Sequence, residues 1–277
     1  MGTARTSGKT HDRVLHEASP LDTILDGFDA VIHTAGATPS NATEPEAYRT
    51  SVEFSRRLAE AVKQSDVRIV IHLSSVAALG GVSRLSAGVL DDSWDPAPVT
   101  DYGRSKQAAE SHFEATVDSG RLVVNLRPPL VFGSGARGAW ASLMKLARSP
   151  LPLPFAKVAN RRSFLGMTNL CGLVDSILAR AGEGSLSGTF LAADRETVSL
   201  CEICSALRHS LGRRPGLFSV PVAVMATPLG WAGREEMAAG LFGDLVIDSS
   251  RVMKTFAWIP GEPTLDGMAR SLTFPSS

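Results

Sequence analysis

Tyr102 and Lys106 stand four residues apart in Tyr102-Gly-Arg-Ser-Lys106, a spacing that sets a phenol and an ammonium on one face of a helix. Upstream, Ser75 follows the apolar run Val67-Arg-Ile-Val-Ile-His-Leu73 and leads into Ser75-Val-Ala-Ala-Leu-Gly80. A hydroxyl at a strand end, a tyrosine and a lysine in this order can move a proton while a hydride passes to a nicotinamide. The ammonium is expected to lower the phenol pKa, and the serine to orient the reacting oxygen. Redox chemistry at a carbinol carbon is what these residue types imply. A Tyr-x-x-x-Lys pair alone is common on solvated helices; the serine at an upstream strand end is what makes it a candidate site.

The elements that must position these groups alternate along the chain. Asp29-Ala-Val-Ile-His-Thr-Ala-Gly36 reads as a short buried strand, and Glu46 to Lys63 has helical spacing at Val52, Leu58, Ala59 and Val62. A strand over 67–73, a polar loop over 81–100, a helix from Tyr102 to about Val117 and a strand over Leu122-Val-Val-Asn-Leu126 follow. This order predicts an α/β fold with a parallel sheet covered on both faces. Ligands then bind beyond the carboxyl ends of the strands, where Ala35, Gly36 and Ser75 fall. His33 and His72 lie inside the apolar strands and are expected to be core residues.

The chain has 277 residues and a net charge of zero, which argues against nucleic acid as a partner and for a small molecule. With no run of 18 or more apolar residues and no signal-peptide core at the start, a soluble cytoplasmic protein without a membrane span is expected. Cys201-Glu-Ile-Cys204 has redox or metal spacing, yet it falls within a helical pattern with no second ligand pair nearby, so buried helix cysteines and no metal are predicted. The apolar stretch 217–231, interrupted by Pro221 and Pro228, reads as a loop and helix covering a substrate pocket. Residues 119–174 contain no Asp or Glu but hold eight Lys and Arg, among them Arg161 and Arg162, and are expected to collect an anion such as a diphosphate. Gly133-Ser-Gly135-Ala-Arg-Gly138 matches a dinucleotide fingerprint literally. Pro128-Pro129 before it and the lack of a following acid favour a turn into a substrate-covering segment instead.

Taken together these stretches resemble an extended short-chain dehydrogenase/reductase, more narrowly an NAD-dependent epimerase/dehydratase acting on nucleotide sugars. Asp29-Ala-Val-Ile-His-Thr-Ala is similar to that family's fourth strand, Ser75-Val-Ala-Ala-Leu-Gly80 to its catalytic-serine loop, and Tyr102 with Lys106 to its active-site pair. Arg127-Pro-Pro-Leu-Val-Phe-Gly133 resembles the segment closing over the nicotinamide, and Asn160 to Leu170 the element that holds a sugar diphosphate. Asp248-Ser-Ser-Arg251 and Phe256-Ala-Trp258-Ile-Pro260 resemble its C-terminal ending. The resemblance implies a Rossmann-like doubly wound sheet in residues 1–133 and about 165–195, and a smaller substrate-binding region in about 134–164 and 196–277. It implies Ser75, Tyr102 and Lys106 as catalytic residues. Ala35, Gly36, Ser74, Tyr102, Lys106, Arg127 and Pro128 would bind the cofactor, and Ser75, Val76 and Arg162 the substrate. The cofactor implied is NAD, with NADP left open, and a homodimer is compatible with the family.

The departures are equally specific. Residues 1–28 hold only Gly2, Gly8 and Gly27, with no glycine-rich turn, and Val14 stands near the expected position of an adenine-facing aspartate. Ser51 replaces a frequent asparagine, which puts a water or proton relay in doubt. The resemblance therefore implies a sheet lacking about two βα units at its start, with an uncovered edge and weak NAD binding. Three readings stay open: a nucleotide-sugar 4-epimerase, an NAD(P)-dependent alcohol or sterol dehydrogenase or ketoreductase, and a non-catalytic scaffold or pseudoenzyme.

Overall fold

In the computed structural model, which describes residues 2–5, 13–15, 21, 25–39, 45–118, 120–231, 233 and 235–272, the apolar runs become adjacent strands of one sheet. Its order is β10 (Gly188–Leu191), β6 (Leu122–Arg127), β4 (Ile69–Leu73), β3 (Ala30–His33), β1 (Gly2–Arg5) and β2 (Arg13–Leu15). The four strands from β10 to β3 are parallel, in a register that aligns His33 with His72 and His72 with Asn125. Alternation along each strand feeds two cores. Ile69, Ile71, Leu122, Val124 and Leu126 pack against α5 (Met167–Leu178) and α9 (Ser250–Phe256), whereas Val31, Val70 and Val123 pack against α1 (Pro45–Lys63) and α3 (Asp101–Glu114). Each such side chain, removed from water, stabilises the sheet by roughly 1.5–3 kcal/mol.

Helix α1 forms where Phe54, Leu58, Ala59 and Val62 share a buried stripe. Its polar face carries Arg56 between Glu53 and Glu60, and Glu46 and Lys63 match the helix dipole at its two ends. Helix α3 starts at Thr100, whose hydroxyl accepts from the Gly103 N–H at 3.0 Å.

Two expectations change. The edge of β3 is not left open: β1 pairs antiparallel with it, Thr3 opposite Ile32 and Arg5 opposite Ala30, and β2 pairs antiparallel with β1. Within the loop 81–100, a short helix α2 (Val82–Leu85) and a strand β5 (Val89–Leu90) form, and β5 pairs with the distant β12 (Val246–Ile247). That pairing buries Leu90 beside Leu245 and Ile247, a long-range gain that local propensity cannot register. Gly8 lies outside the described residues, and so does the side chain of Val14, whose backbone belongs to β2.

The remaining strands, β7 (Val131–Phe132), β8 (Arg162–Ser163), β9 (Leu165–Gly166) and β11 (Thr197–Val198), make two-stranded pairs, β7 with β9 and β8 with β11. Helices α4 (Ala139–Arg148), α6 (Leu200–Ser210), α7 (Val222–Trp231), α8 (Glu235–Phe242) and α10 (Thr264–Arg270), with two 3₁₀ turns over Val76–Ala78 and Gly184–Leu186, complete the described secondary structure. Gly133 to Gly138 forms the turn between β7 and α4, outside the large sheet. Cys201 and Cys204 are free thiols on α6, and Cys204 is buried. Among the described residues no cluster of potential ligands could hold a metal ion, and no helix is long and apolar enough to cross a membrane.

Candidate active site

Strand β4 ends at Leu73, and the chain then turns sharply because Ser74 N–H donates to Leu126 O at 2.7 Å and Val76 N–H to Pro128 O at 3.1 Å. Ser75 sits at that turn in an extended conformation and caps a short 3₁₀ helix over Val76–Ala78, its Oγ accepting from the Ala77 N–H at 3.2 Å. The same side chain is hydrogen-bonded to the Tyr102 phenol.

Tyr102 reaches Ser75 because α3 approaches the serine turn unusually closely at Gly103. A Cβ added there would lie 2.3 Å from Ala77 O and 3.0 Å from Pro98 Cβ. Glycine in a helix interior ordinarily costs about 1 kcal/mol relative to alanine; here it is what lets the phenol and the hydroxyl meet. One turn further on, Lys106 is buried and donates from Nζ to Leu73 O at 2.8 Å. Burial pulls its pKa from 10.5 to about 8, opposed by the Glu110 carboxylate.

Tyr102 differs from expectation in its acidity. Burial pushes the phenol above its usual 10, and the Ser75 hydrogen bond works in the opposite direction without overcoming it. The desolvation cost of a phenolate sets the direction, and the expected lowering by the lysine ammonium is not among the causes of the shift.

Glu110 continues the stripe Tyr102, Lys106, Glu110 along α3. Its carboxylate accepts from Arg127 Nε at 2.8 Å and Nη2 at 2.7 Å, and from Ser74 Oγ at 2.5 Å. All three side chains are buried. This bidentate pair ties β6 and the end of β4 to α3. Arg127 therefore has its guanidinium on Glu110 rather than in the open cleft, and Ser74 serves the same network.

The cleft itself has a volume of about 590 Å³ and is lined by Ser74, Ser75, Val76, Tyr102, Lys106 and Pro128, with Arg137, Gly138 and Ala139 entering from the start of α4. It lies beyond the carboxyl ends of β4 and β6, the edge where open parallel sheets bind ligands. Gly36 adjoins it from β3 with φ of +145°, and a Cβ there would sit 3.6 Å from Lys106 Nζ. Ala35 and Gly36 line a small enclosed cavity together with His33, Ser51, Ser55 and Lys106. Ser51 takes neither a free nor a relay position: its Oγ accepts from the Ala37 N–H and donates to Ala47 O, both at 2.8 Å.

His33 and His72 are core residues, as expected. Their Nδ1 atoms are 2.8 Å apart between Phe54 and Phe113. Burial pulls His33 down to about 3 and His72 well below its usual value, so both are neutral.

Arg162 is elsewhere. It is half-buried on β8, where Nη1 donates to Gly243 O at 2.9 Å and to Ala239 O at 3.4 Å at the end of α8. A cation at a helix C-terminus is favourable, and Arg162 is not among the residues lining the Tyr102 cleft. The 217–231 stretch does not line that cleft either. Two residues of this site escape a reading of the sequence for side-chain chemistry, Gly103 and Glu110, whereas Arg137 belongs to the basic segment expected to collect an anion. Glu110 shares the four-residue spacing of Tyr102 and Lys106, and a glycine inside a helical pattern marks close approach, so both left a trace.

A parallel sheet with helices on both faces, and a Ser-Tyr-Lys cluster at its carboxyl edge, define a nucleotide-cofactor-dependent class of fold. Residues 3–185 match the NAD dependent epimerase/dehydratase family, to which the chain belongs. It is 29% identical over 216 residues to the UDP-glucose 4-epimerase of Vibrio cholerae, a match covering 77% of this chain and 65% of that relative. The aligned region thus spans just under two thirds of the curated relative. Among solved structures, the UDP-N-acetylglucosamine 4-epimerase of Bacillus cereus superposes with a TM-score of 0.73 at 17% identity, covering 94% of this chain and 84% of that one. The UDP-glucuronic acid 4-epimerase of the same organism, in complex with NAD, superposes with a TM-score of 0.71 at 18% identity, covering 91% and 73%.

Proposed function

We propose that this protein is an enzyme that epimerises a nucleotide sugar at a carbinol carbon by transient oxidation, with NAD as cofactor. The observation that carries the reading is the meeting of Ser75, Tyr102 and Lys106 in one cleft at the carboxyl edge of the parallel sheet. The residues present fit the nicotinamide end of the cofactor: Lys106 lines the cleft beside Gly36, whose φ of +145° favours glycine, and Pro128 and Ser74 wall the cleft. Among the described residues none supplies a diphosphate cradle. Strand β1 ends at Arg5, opposite Ala30, at the far edge of the sheet. Only Leu15 of β2 ends on the cleft side, and it is followed by His16-Glu-Ala-Ser-Pro20, without glycine.

When bound, NAD supplies a hydride acceptor that later returns the hydride, so no cofactor is consumed. Burial keeps the Tyr102 phenol protonated in the free cleft, so the oxidising half of the reaction requires its ionisation in the loaded site: Tyr102 Oη, as phenolate, takes the hydroxyl proton as the C–H electron pair leaves carbon, and Ser75 Oγ hydrogen-bonds the oxygen that becomes the carbonyl. Reduction from the opposite face of the sugar reverses both transfers and requires the ring to turn inside the cleft. Lys106 would hold the ribose hydroxyls in place of Leu73 O and add positive charge beside Tyr102, and Val76, which lines the cleft, would face the sugar. Arg137 is the cation in position to meet its diphosphate, whereas Arg162 would have to release Gly243 O to do so.

The test is to incubate the purified chain with NAD and UDP-galactose and follow UDP-glucose by NMR. Turnover without net NADH, lowered about 10³-fold in Tyr102→Phe, is the expected result. Net oxidation of an apolar alcohol with accumulation of reduced cofactor would replace this reading with a dehydrogenase. A folded chain inert at saturating NAD would replace it with a non-catalytic protein.

A further inference from the structure

Helix α7, Val-Ala-Val-Met-Ala-Thr-Pro-Leu-Gly-Trp, carries no charge, and no charged residue occurs anywhere from Pro215 to Gly233. A helix apolar on every side is normally buried, yet none of the residues of α7 is. Val222 and Met225 rest partly against the cluster of Leu153, Val158, Leu200 and Cys204. Outward, Val224 is 61% and Trp231 87% exposed. Leu151 and Phe218 extend the apolar face, because Phe218 N–H donates to Leu153 O at 2.9 Å and Leu153 bridges Leu217.

The rim of this face is basic on the side of Arg148 and Arg213, while Glu235 and Glu236 follow Trp231 at its other end. Arg213 Nη1 donates to Arg148 O, which brings two arginines together, and Arg148, Lys157, Arg213 and Arg214 are all exposed. Over residues 134–164 and 196–233 there are nine Lys and Arg against two Glu, in a chain whose total charge is zero. Both acids are engaged: Glu196 accepts from the Thr264 N–H, and Glu202 caps α6 with Ser199.

We propose that this face, α7 with the Arg148–Leu151 corner and Arg213-Arg214, docks on an anionic lipid bilayer. Apolar side chains enter the acyl boundary, Trp231 sits at headgroup depth, and the basic rim meets lipid phosphates. Charge decides against the other occupant, a second copy of the chain: an isologous contact would bring the basic rim against itself. This docking is independent of the reaction proposed above.

Flotation of the 277-residue chain with vesicles tests it. Binding to phosphatidylcholine vesicles containing about one-third phosphatidylglycerol, weakening with salt and largely absent on pure phosphatidylcholine, is expected. Trp231→Ser should weaken it by about tenfold, and Arg213→Glu with Arg214→Glu by about 25-fold or more. Both variants alter exposed side chains only, and thermal melts matching the parent separate lost docking from lost folding. Lack of binding to the anionic vesicles would overturn the proposal. So would binding that the two variants leave unchanged, or dimers in light scattering that Trp231→Ser dissociates.

Discussion

Replacing Lys106 by methionine should make the protein more stable at neutral pH while removing its chemistry. The lysine is 7% exposed, and its pKa falls from 10.5 to about 8 because burial disfavours the ammonium. A gap of that size corresponds to about 3 kcal/mol of destabilisation at pH values below 8. Methionine matches the stem in volume and carries no charge, but leaves Leu73 O without its 2.8 Å donor, a loss of about 1 kcal/mol. The net expectation at pH 7 is a gain of about 2 kcal/mol, or roughly 4 °C in Tm. Its pH dependence has a definite sign. The unfolded chain holds the lysine proton up to 10.5 while the folded chain releases it near 8, so wild-type stability rises between those values and the variant's advantage disappears by about pH 10.5. Urea unfolding of both proteins at pH 7 and pH 10 measures this difference, in which all other titrations cancel. A variant less stable than wild type at pH 7, or an advantage that does not shrink with pH, would refute the account of Lys106 as a buried, penalised charge.

Gly103→Ala, a change that stabilises most helices by about 1 kcal/mol, should here destabilise and lower turnover by at least about 10²-fold, because the new Cβ meets Ala77 O at 2.3 Å and drives Tyr102 from Ser75. Unfolding curves and initial rates check it, and a stabilised, active variant would show that α3 does not depend on this approach. For the buried histidines, the folded pKa lies far below the unfolded 6.5, so their contribution is intact above pH 6.5 and is lost as pH falls toward 3. Between pH 6.5 and 5 the pair should cost about 4 kcal/mol of stability, and His33→Leu with His72→Leu should flatten that decline in urea midpoints; an unchanged slope would locate acid sensitivity elsewhere.

What the sequence made legible was whatever is encoded within one element. Alternation in 67–73 and 122–126 and the apolar stripe of Glu46 to Lys63 reflect burial against a single neighbouring layer, so strands, helix and parallel order follow from pattern. The Ser75, Tyr102 and Lys106 cluster follows in turn, because strand ends and one helix face bring it together. Partners distant along the chain were not legible. Arg162 faces Gly243 O, 81 residues away, and β5 exists only by pairing with β12. The direction of β1 is a tertiary outcome too, as four residues without an apolar pattern carry no sign of which way they run.

The buried stripe on α3 shows how one helix can carry both the chemistry and its support. Burial acts against charge on both Tyr102 and Lys106: it pushes the phenol up and pulls the ammonium down, and the lysine bears that penalty at neutral pH. Glu110 acts against the second tendency, yet its charge is itself balanced by a bidentate arginine from β6. Without Arg127 the carboxylate would be a buried anion stripped of its ion pair, a change of roughly 3–5 kcal/mol. Arg127 therefore supports, without touching the lysine, the carboxylate one turn along the same helix that favours its charged form. That arrangement also gives a physical reason for the residue before Pro128 to be an arginine: an apolar side chain there would fill the space but leave the Glu110 carboxylate buried without its bidentate partner.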